Sequence, residues 1–411
     1  MKFKKMEPRS DWREKAKELG YMAALFDDPP YWIEATADPY CAVFSHSEIE
    51  NIIEPATREL NELALQAVEL VCFGPKSEEL MEKLHIPQAF REPIRQSWKR
   101  RDRSLYGRFD FSYNNDQLKL LELNFDTAIS LYEASIFQLL WFEDLRASGK
   151  LPEDCDQFNV IHEQLLRAFS GVAGGEIAIH FTSMEHSEED EDTTKYLQSC
   201  AVLAGVPSKF MHLHELGYDE AGNLIDKEGL TIRNLFKLYP WEYLFEEDEE
   251  IARARGKSVL GPILEEGRTS FIEPVWKTIL SSKGILPILW EMAPDCPWLL
   301  ESYFEDAPQA AELKKQPHVR KPLFGREGGS ISIIYPSEPA KSFVNPGVYG
   351  KEGFVVQALH PLPKFEDHHV LVGSWSIAGR AAGVGIRADL SPITTGMHCL
   401  FVPHYIEPEN N

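Results

Sequence analysis

Between Gly107 and Ser130 the chain reads GRFDFSYNNDQLKLLELNFDTAIS, with an arginine, two carboxylates and a carboxamide at alternating positions. Arg108, Asp110 and Ser112 alternate with Phe109, Phe111 and Tyr113. After Asn114, Asn115 and Asp116, the residues Leu118, Leu120, Glu122 and Asn124 alternate with Lys119, Leu121, Leu123 and Phe125. This period of two predicts a β-hairpin with each set on its own face. An odd loop over Asn114 to Asp116 pairs Ser112 with Leu118, Asp110 with Leu120 and Arg108 with Glu122. Arg108, Asp110, Glu122 and Asn124 then share a face, whereas an even loop turns Glu122 away from Asp110.

Asp110, Glu122 and Asn124 make a hard oxygen donor set suited to Mg²⁺, which completes its shell with water or substrate phosphate. Arg108 beside them suits a phosphate that bridges it to the metal. The alternative is a cross-strand Arg/Glu pair on a solvated sheet face, with no ion.

Several elements must hold this hairpin. Ser130 to Asp144 reads as an amphipathic helix whose N-terminal amides face the cluster and favour an anion there. The first hundred residues are mainly helical, with Ser47 as N-cap of a helix carrying Ile49, Ile52, Ile53, Leu60, Leu63, Ala67 and Leu70, interrupted at Pro55. Tyr31, Trp32 and Trp98 read as packing aromatics without a site role. From about Gly174 the pattern becomes α/β: a strand EIAIHFTS, a helix over Thr193 to Ala204 and a strand KFMHLHEL. The acidic run SEEDED, 187 to 192, falls between strand and helix and is a candidate ammonium dock, whereas EEDEE at 246 to 250 reads as a solvated face.

At 411 residues the chain buries a large core and divides into two or three parts. Its net charge of −23 argues against a nucleic-acid surface and is consistent with a cationic partner. The six cysteines show no C-x-x-C pair and no zinc spacing, so they read as reduced, packed thiols. No apolar run reaches membrane length and MKFKK leads into no hydrophobic leader segment, so the expectation is a cytoplasmic protein without a membrane partner.

Gly325-Arg326-Glu327-Gly328-Gly329-Ser330 is a glycine-rich loop between two apparent strands. Its backbone amides could cradle a phosphate, although it is neither a Walker A loop nor a Rossmann fingerprint, and a bare hairpin turn is the alternative. Phe354 to Leu359 reads as a buried strand, and Val370 to Arg387 as two strands separated by Ala378-Gly379-Arg380.

GRFDF, LLELNFDT and the following Ala128 to Glu133, with NLFKLYPWE, EPVWKTILSSKGILPILWEM, VRKPLFGREGG, VVQALHPLPKF and LVGSWSIAGRAAGVGIR, occur in one order along nearly the whole chain. This set resembles the synthetase region of the glutathionylspermidine synthase family, carbon–nitrogen ligases of ATP-grasp type, and is nearer to single-domain acid–amine ligases than to the bifunctional amidase/synthetase.

The resemblance implies a mixed α+β ATP-grasp fold with glutathione-synthetase-like architecture. It implies four approximate parts: a helical segment with the hairpin (1–170), an α/β substrate-side part (171–265), an ATP lid (266–350) and core strands (351–411), with no amidase domain. It implies that ATP is contacted at Arg108, Phe109, Asp110, Lys283, Lys321, Arg326, Gly328, Gln357 and Pro392, the last by backbone alone. Mg²⁺ would sit on Asp110, Glu122 and Asn124. Arg108 would stabilise the transition state and Arg387 would lie near the transferred phosphate or the acid substrate.

Thr127 stands where relatives carry a glutathione-contacting Ser. Leu238 replaces a glutathione-binding Thr and cannot supply its hydroxyl hydrogen bond. The implied reaction is ATP-dependent amide formation through an acyl phosphate, between an acid and an amine of unassigned identity. Two alternatives stay open: a nucleotide-binding regulatory protein, and a small-molecule carboxylate kinase.

Overall fold

The computed structural model describes residues 1–26, 28–172, 177–396 and 399–408. Its centre is an antiparallel sheet in the order Leu400–Val402, Arg380–Asp389, His368–Ile377, Tyr106–Asn114, Gln117–Asn124, with Lys364–Phe365 paired beside His368–Ile377. The expected hairpin is there, but its turn is shorter than the odd loop. Asn114 pairs with Gln117, and the two residues between, Asn115 and Asp116, both take positive φ (50° and 57°), as in a type I′ turn whose twist matches that of the strands.

Such an even turn would put Glu122 and Asp110 on opposite faces. A β-bulge restores them to one face. Phe111 faces Leu120 while Asp110 faces Glu122, so Leu121 is the extra residue, and Arg108 lies opposite Asn124. The expected pairs of Asp110 with Leu120 and Arg108 with Glu122 are therefore each displaced by two residues.

The opposite face of the hairpin feeds the core. Phe109, Phe111, Leu118, Leu120 and Leu123 are buried with Leu60, Ala64, Ala67, Val68 and Val71 of the long helix. Full burial of each large apolar side chain contributes about 1.5–3 kcal/mol, which fixes which face of the hairpin points inward. The cap of that helix lies two residues earlier than expected. Ser45 accepts from the Glu48 amide at 3.2 Å and Glu48 accepts from the Ser45 amide at 2.9 Å, a reciprocal capping box. Pro55 does not interrupt it, because a wide π-type turn over Ile49–Ile53 precedes Glu54–Phe73 and absorbs the missing N–H.

A parallel four-stranded sheet, in the order Ser270–Ile272, Asn234–Lys237, Ile179–Ser183, Ser208–His212, stands beside the centre. The first residue of the expected strand, Glu176, lies outside the described residues. The acidic run 187 to 192 is no loop: Ser187 precedes a helix over Glu188–Leu203, and four acids occupy its first turn, where the helix dipole favours negative charge. In the second acidic run Asp248 is buried and accepts from the amides of Val259 and Leu260, so that face is only partly solvated.

The remaining large sheet is antiparallel: Ser302–Phe304, Phe354–Ala358, His318–Pro322, Ser332–Ile334, Phe343–Val344. It therefore extends past residue 350. A three-stranded sheet of Lys2–Lys5, Tyr40–Phe44 and His404–Ile406 ties the two chain ends together. Among the described residues no helix is long and apolar enough to cross a membrane. All six cysteines are free, and only Cys296 is not fully buried.

Candidate active site

Asp110 is fully buried and almost surrounded by cations. Arg108 Nε donates to its Oδ1 at 2.6 Å, and Arg387 Nη2 and Asn124 Nδ2 donate to its Oδ2 at 2.5 and 2.9 Å. Arg108 Nη1 also reaches the Ile129 carbonyl at 2.5 Å, which ties the hairpin to the chain entering the next helix. That helix begins with a wide turn, Glu133–Phe137, before Gln138–Ala147. Beside Asp110, Glu122 meets Lys283 Nζ at 3.2 Å, and Asn124 Nδ2 lies 3.4 Å from Glu122 Oε1.

Burial alone would raise the Glu122 carboxyl. Lys283, Lys321 and Arg387 together outweigh that and hold it down at about 2. Burial also works against the charge on Arg387, yet Asp110 and Glu122 drive its basicity further up. Glu122 and Arg387 thus both carry full charge at ordinary pH.

Lys321 and Gln357 are placed by the bulge. Leu121 leaves the ladder, and its carbonyl accepts from Lys321 Nζ at 2.7 Å; the Leu120 carbonyl accepts from Gln357 Nε2 at 3.2 Å. Lys321 and Gln357 also bond each other at 2.7 Å. Burial, with Lys283 adding to it and Glu122 and Asp110 opposing, lowers the Lys321 ammonium to about 8.

In front of the cluster lies a cavity of about 920 Å³, lined among others by Arg108, Glu122, Asn124, Thr127, Lys283, Arg326, Gly328 and Arg387. The glycine-rich loop forms its rim. Lys283 Nζ holds the Gly325 carbonyl at 3.1 Å, and Arg326 reaches across to Thr127 Oγ1 at 3.0 Å and Glu242 Oε1 at 3.5 Å. Gly328 has φ +67°, and a Cβ there would stand 2.6 Å from Ile393 Cγ2 and 2.7 Å from the Thr394 carbonyl. Leu238 is buried and lines the same cavity. Its neighbour Lys237 is fixed by Asp126 at 2.7 Å, and Asp126 also accepts from the Trp241 amide at 2.9 Å.

Five of the expected ATP contacts are not among the residues lining this cavity: Asp110, Lys321 and Gln357 are buried beside it, and two stand apart from it. The Phe109 side chain turns into the core against Phe125, so only its backbone runs through the site strand. Pro392 lies in the segment next to Ile393 and Thr394 and is not among the residues lining the cavity.

A second wall of the cavity is acidic. Glu189 and Asp190, from the first turn of their helix, line it with Glu242. Burial pushes the Glu189 carboxyl up to about 8, with Glu133, Asp190 and Glu327 adding to the rise and Arg387 opposing. Tyr31 also lines the cavity, and its hydroxyl donates to Glu133 Oε1 at 2.6 Å and meets Ser130 Oγ at 2.9 Å. Sequence reasoning assigned Tyr31 no role and missed Glu133. A tyrosine beside Pro29 and Pro30 carries no local signal of a partner 102 residues away.

The sequence matches the family model described as glutathionylspermidine synthase preATP-grasp over residues 3–407. The chain belongs to the glutathionylspermidine synthase family. A Haemophilus influenzae protein named "Putative acid--amine ligase" is 33% identical over 392 residues, spanning 93% of this chain and 92% of that protein. The bifunctional glutathionylspermidine synthetase/amidase of Escherichia coli K12 is less similar, 27% identical over 371 residues, with 86% of this chain and 57% of that enzyme covered. Trypanothione synthetase of Crithidia fasciculata is 29% identical over 323 residues, covering 75% of this chain and 48% of its own length. Against those two enzymes the chain thus spans about half of the relative's length.

Among solved structures, a glutathione synthetase-like effector of Globodera pallida superposes with a TM-score of 0.51 over 98% of this chain and 100% of its own, at 12% identity. The fold is the mixed ATP-grasp type with glutathione-synthetase-like architecture. As a member of the glutathionylspermidine synthase family, the protein is a carbon–nitrogen ligase of the acid–amine kind.

Proposed function

We propose that this ligase uses ATP and Mg²⁺ to activate a peptide-like or amino-acid carboxylate as an acyl phosphate, and then joins it to an amine or polyamine. The observation that carries the reading is one cavity with two chemistries. Arg108, Lys283, Arg326 and Arg387 suit phosphate and carboxylate groups, and Glu189, Asp190 and Glu242, whose carboxyls burial raises, suit an ammonium whose charge would draw them into the ionised form.

A carboxylate repels an approaching nucleophile and has no leaving group, and phosphorylation repairs both faults. The substrate carboxylate oxygen bonds to the γ-phosphorus as the bond to ADP breaks. Arg108 and Arg387 stabilise the charge spread over the moving phosphoryl group, while Lys283 and Lys321 hold the triphosphate. Backbone amides of Gly325 to Ser330 add to this, and Gln357 lies beside Lys321 on the nucleotide side. The amine then attacks the acyl carbon and phosphate departs.

Asp110, Glu122 and Asn124 suit Mg²⁺ by donor chemistry, since all three present oxygens on one face once the Asn124 amide turns its Oδ1 toward the carboxylates. Such an ion would supply charge neutralisation for the transferred phosphoryl group. The cations now paired with the carboxylates are those a triphosphate would recruit. Arg326, bonded to Thr127 across the cavity, lets the glycine loop serve as a lid that keeps water from the acyl phosphate. Thr127 would contact the acid substrate, and Leu238 argues for an acid other than glutathione.

The test is a matrix of amino acids and short peptides against polyamines, with ATP and Mg²⁺, read by ADP release and by product mass. ADP that appears only when acid and amine are both present, with a new amide mass, supports the ligase. ADP with an acid alone supports a carboxylate kinase, and nucleotide binding without turnover supports a regulatory protein.

A further inference from the structure

Glu133 stands behind the cavity with no function assigned by the chemistry above. It is about 1% exposed, and its Oε2 has no hydrogen-bond partner among the described residues. Its other oxygen accepts from Tyr31 at 2.6 Å, and the Tyr31 hydroxyl meets Ser130 Oγ at 2.9 Å. Since the Tyr31 proton goes to Glu133, Ser130 is the donor in the second bond. The three groups form a continuous chain, and both Tyr31 and Ser130 line the cavity. Ser130 follows Ile129, whose carbonyl is held by Arg108, the residue bonded to Asp110. The chain therefore opens next to the charged cluster.

We propose that Glu133 is the proton acceptor for the amine substrate, reached through Ser130 and Tyr31. This rests on the ligase reading above. An amine bound near an acidic wall arrives as R–NH₃⁺, which has no lone pair and cannot attack. One of its protons passes to Ser130 Oγ as the Ser130 proton passes to Tyr31 Oη and the Tyr31 proton passes to Glu133 Oε1. The ammonium becomes R–NH₂, Glu133 becomes a neutral acid, and the two hydroxyls are unchanged. The nitrogen lone pair then forms the C–N bond, the C–O bond to phosphate breaks, and the second proton leaves with the phosphate as HPO₄²⁻. Glu133 gives its proton back to solvent when the cavity reopens.

Glu133 acts through Tyr31 and does not itself reach the cavity. The groups that face it are Tyr21, Tyr31 and Tyr132, and the acids Glu189 and Asp192 from the helix Glu188–Leu203. No lysine or arginine neutralises it directly among the described residues. Burial raises its carboxyl above the ordinary range, with Asp192 adding and the Tyr31 hydroxyl, the Glu133 amide and the Tyr21 hydroxyl opposing, which makes it a better base.

The test separates the two half-reactions. The wild-type protein, Glu133→Gln and Tyr31→Phe are given ATP, Mg²⁺ and glycine, glutamate or glutathione as acid. Acyl phosphate is trapped as hydroxamate by hydroxylamine, which is neutral at pH 7. Amide formation with 1,4-diaminobutane is followed in parallel from pH 6.5 to 9.5. The relay predicts hydroxamate formation within about twofold of wild type in both variants. It predicts amide formation lower by about a hundredfold at pH 7, recovering about tenfold per pH unit as the free amine fraction grows. Equal loss of both products would show that Glu133 only supports the fold, and unchanged amide formation across the range would show that the relay is not used. Absence of hydroxamate from the wild-type protein with every acid would remove the acyl-phosphate reading, and the relay with it.

Discussion

Asp110 and Glu122 face each other across the hairpin because Leu121 bulges out of the strand between them and the turn. The bulge does two things at once. It returns Glu122 to the face of Asp110, and it frees the carbonyls of Leu120 and Leu121 for Gln357 and Lys321 of the neighbouring sheet. The Leu120 amide likewise leaves the ladder and donates to the Trp298 carbonyl at 2.7 Å. An irregularity in one sheet thus docks the other, and nucleotide-side and metal-side residues are set by the same backbone feature.

Deleting Leu121 should therefore separate the two. The ladder would close in regular register with Asp110 still opposite Glu122 and Arg108 opposite Asn124, while the Leu121 carbonyl that holds Lys321 would be gone. Calorimetry on a protein whose circular dichroism shows it still folded should find ATP affinity lowered about tenfold, the scale of one lost hydrogen bond to a charged group, with Mg²⁺ dependence retained. Leu121→Ala keeps the bulge, whose contacts are made by backbone, and should bind within about threefold of wild type.

Asp110→Ala and Glu122→Ala should each lower Mg²⁺-dependent ADP formation by about a hundredfold or more, the scale of losing one preorganised electrostatic contact. Asp110→Ala should also lower the melting temperature more than Glu122→Ala. It leaves Arg108 and Arg387 without their shared carboxylate in a buried site, whereas Glu122 faces the cavity. Steady-state kinetics and thermal melts check the two parts.

Lys321 gives a prediction in pH. Its ammonium titrates at about 8 in the folded protein and at 10.5 in an unfolded chain, so between these values the unfolded state binds the extra proton. Folded stability should rise with pH through that window relative to Lys321→Met, where the rise should be absent. ATP affinity should move the other way, falling as pH rises through about 8 and the neutral amine stops pairing with phosphate. Denaturant melts and calorimetry at pH 7 and pH 9.5 check both signs.

Leu238→Thr should bring in glutathione. The side chain lines the cavity on a strand end fixed by the Lys237–Asp126 pair, so a threonine hydroxyl would face the same space. A hydrogen bond gained there contributes about 0.5–1.5 kcal/mol, or roughly a threefold to tenfold gain in affinity. Calorimetry with no change would remove the account of the acid pocket.

How far all this could be read in advance differs residue by residue. On the first strand the two faces were legible, because period-two alternation separates Arg108, Asp110 and Ser112 from the aromatics. On the second they were not: Leu118 and Leu120, expected beside Glu122 and Asn124, lie on the core face opposite Tyr113 and Phe111. The cluster was reached through an odd loop that the chain does not form. The real route, an even turn plus a bulge, keeps Arg108, Asp110, Glu122 and Asn124 together, and nothing in LKLLEL marks which leucine steps out.

The acidic run at 187 to 192 could have been read better. A serine followed by five acids is the signature of a helix start, and the structure has the helix there. By contrast, the pairing of Arg387 with Asp110 joins positions 277 residues apart, and that of Tyr31 with Glu133 joins positions 102 apart. Both depend on how the sheets and the N-terminal segment pack. The resemblance to relatives pointed to Arg387 and was silent on Glu133.

The central claim, that a carboxylate is activated as an acyl phosphate, is tested most directly by isotope transfer. An acid substrate found in the matrix is labelled with ¹⁸O in its carboxylate and turned over with ATP, Mg²⁺ and amine. The account predicts one ¹⁸O in each released phosphate, seen by mass spectrometry, with ADP as co-product. Label appearing in AMP would contradict it in favour of adenylation, and phosphate free of label would show that ATP is hydrolysed by water and never reaches the acid.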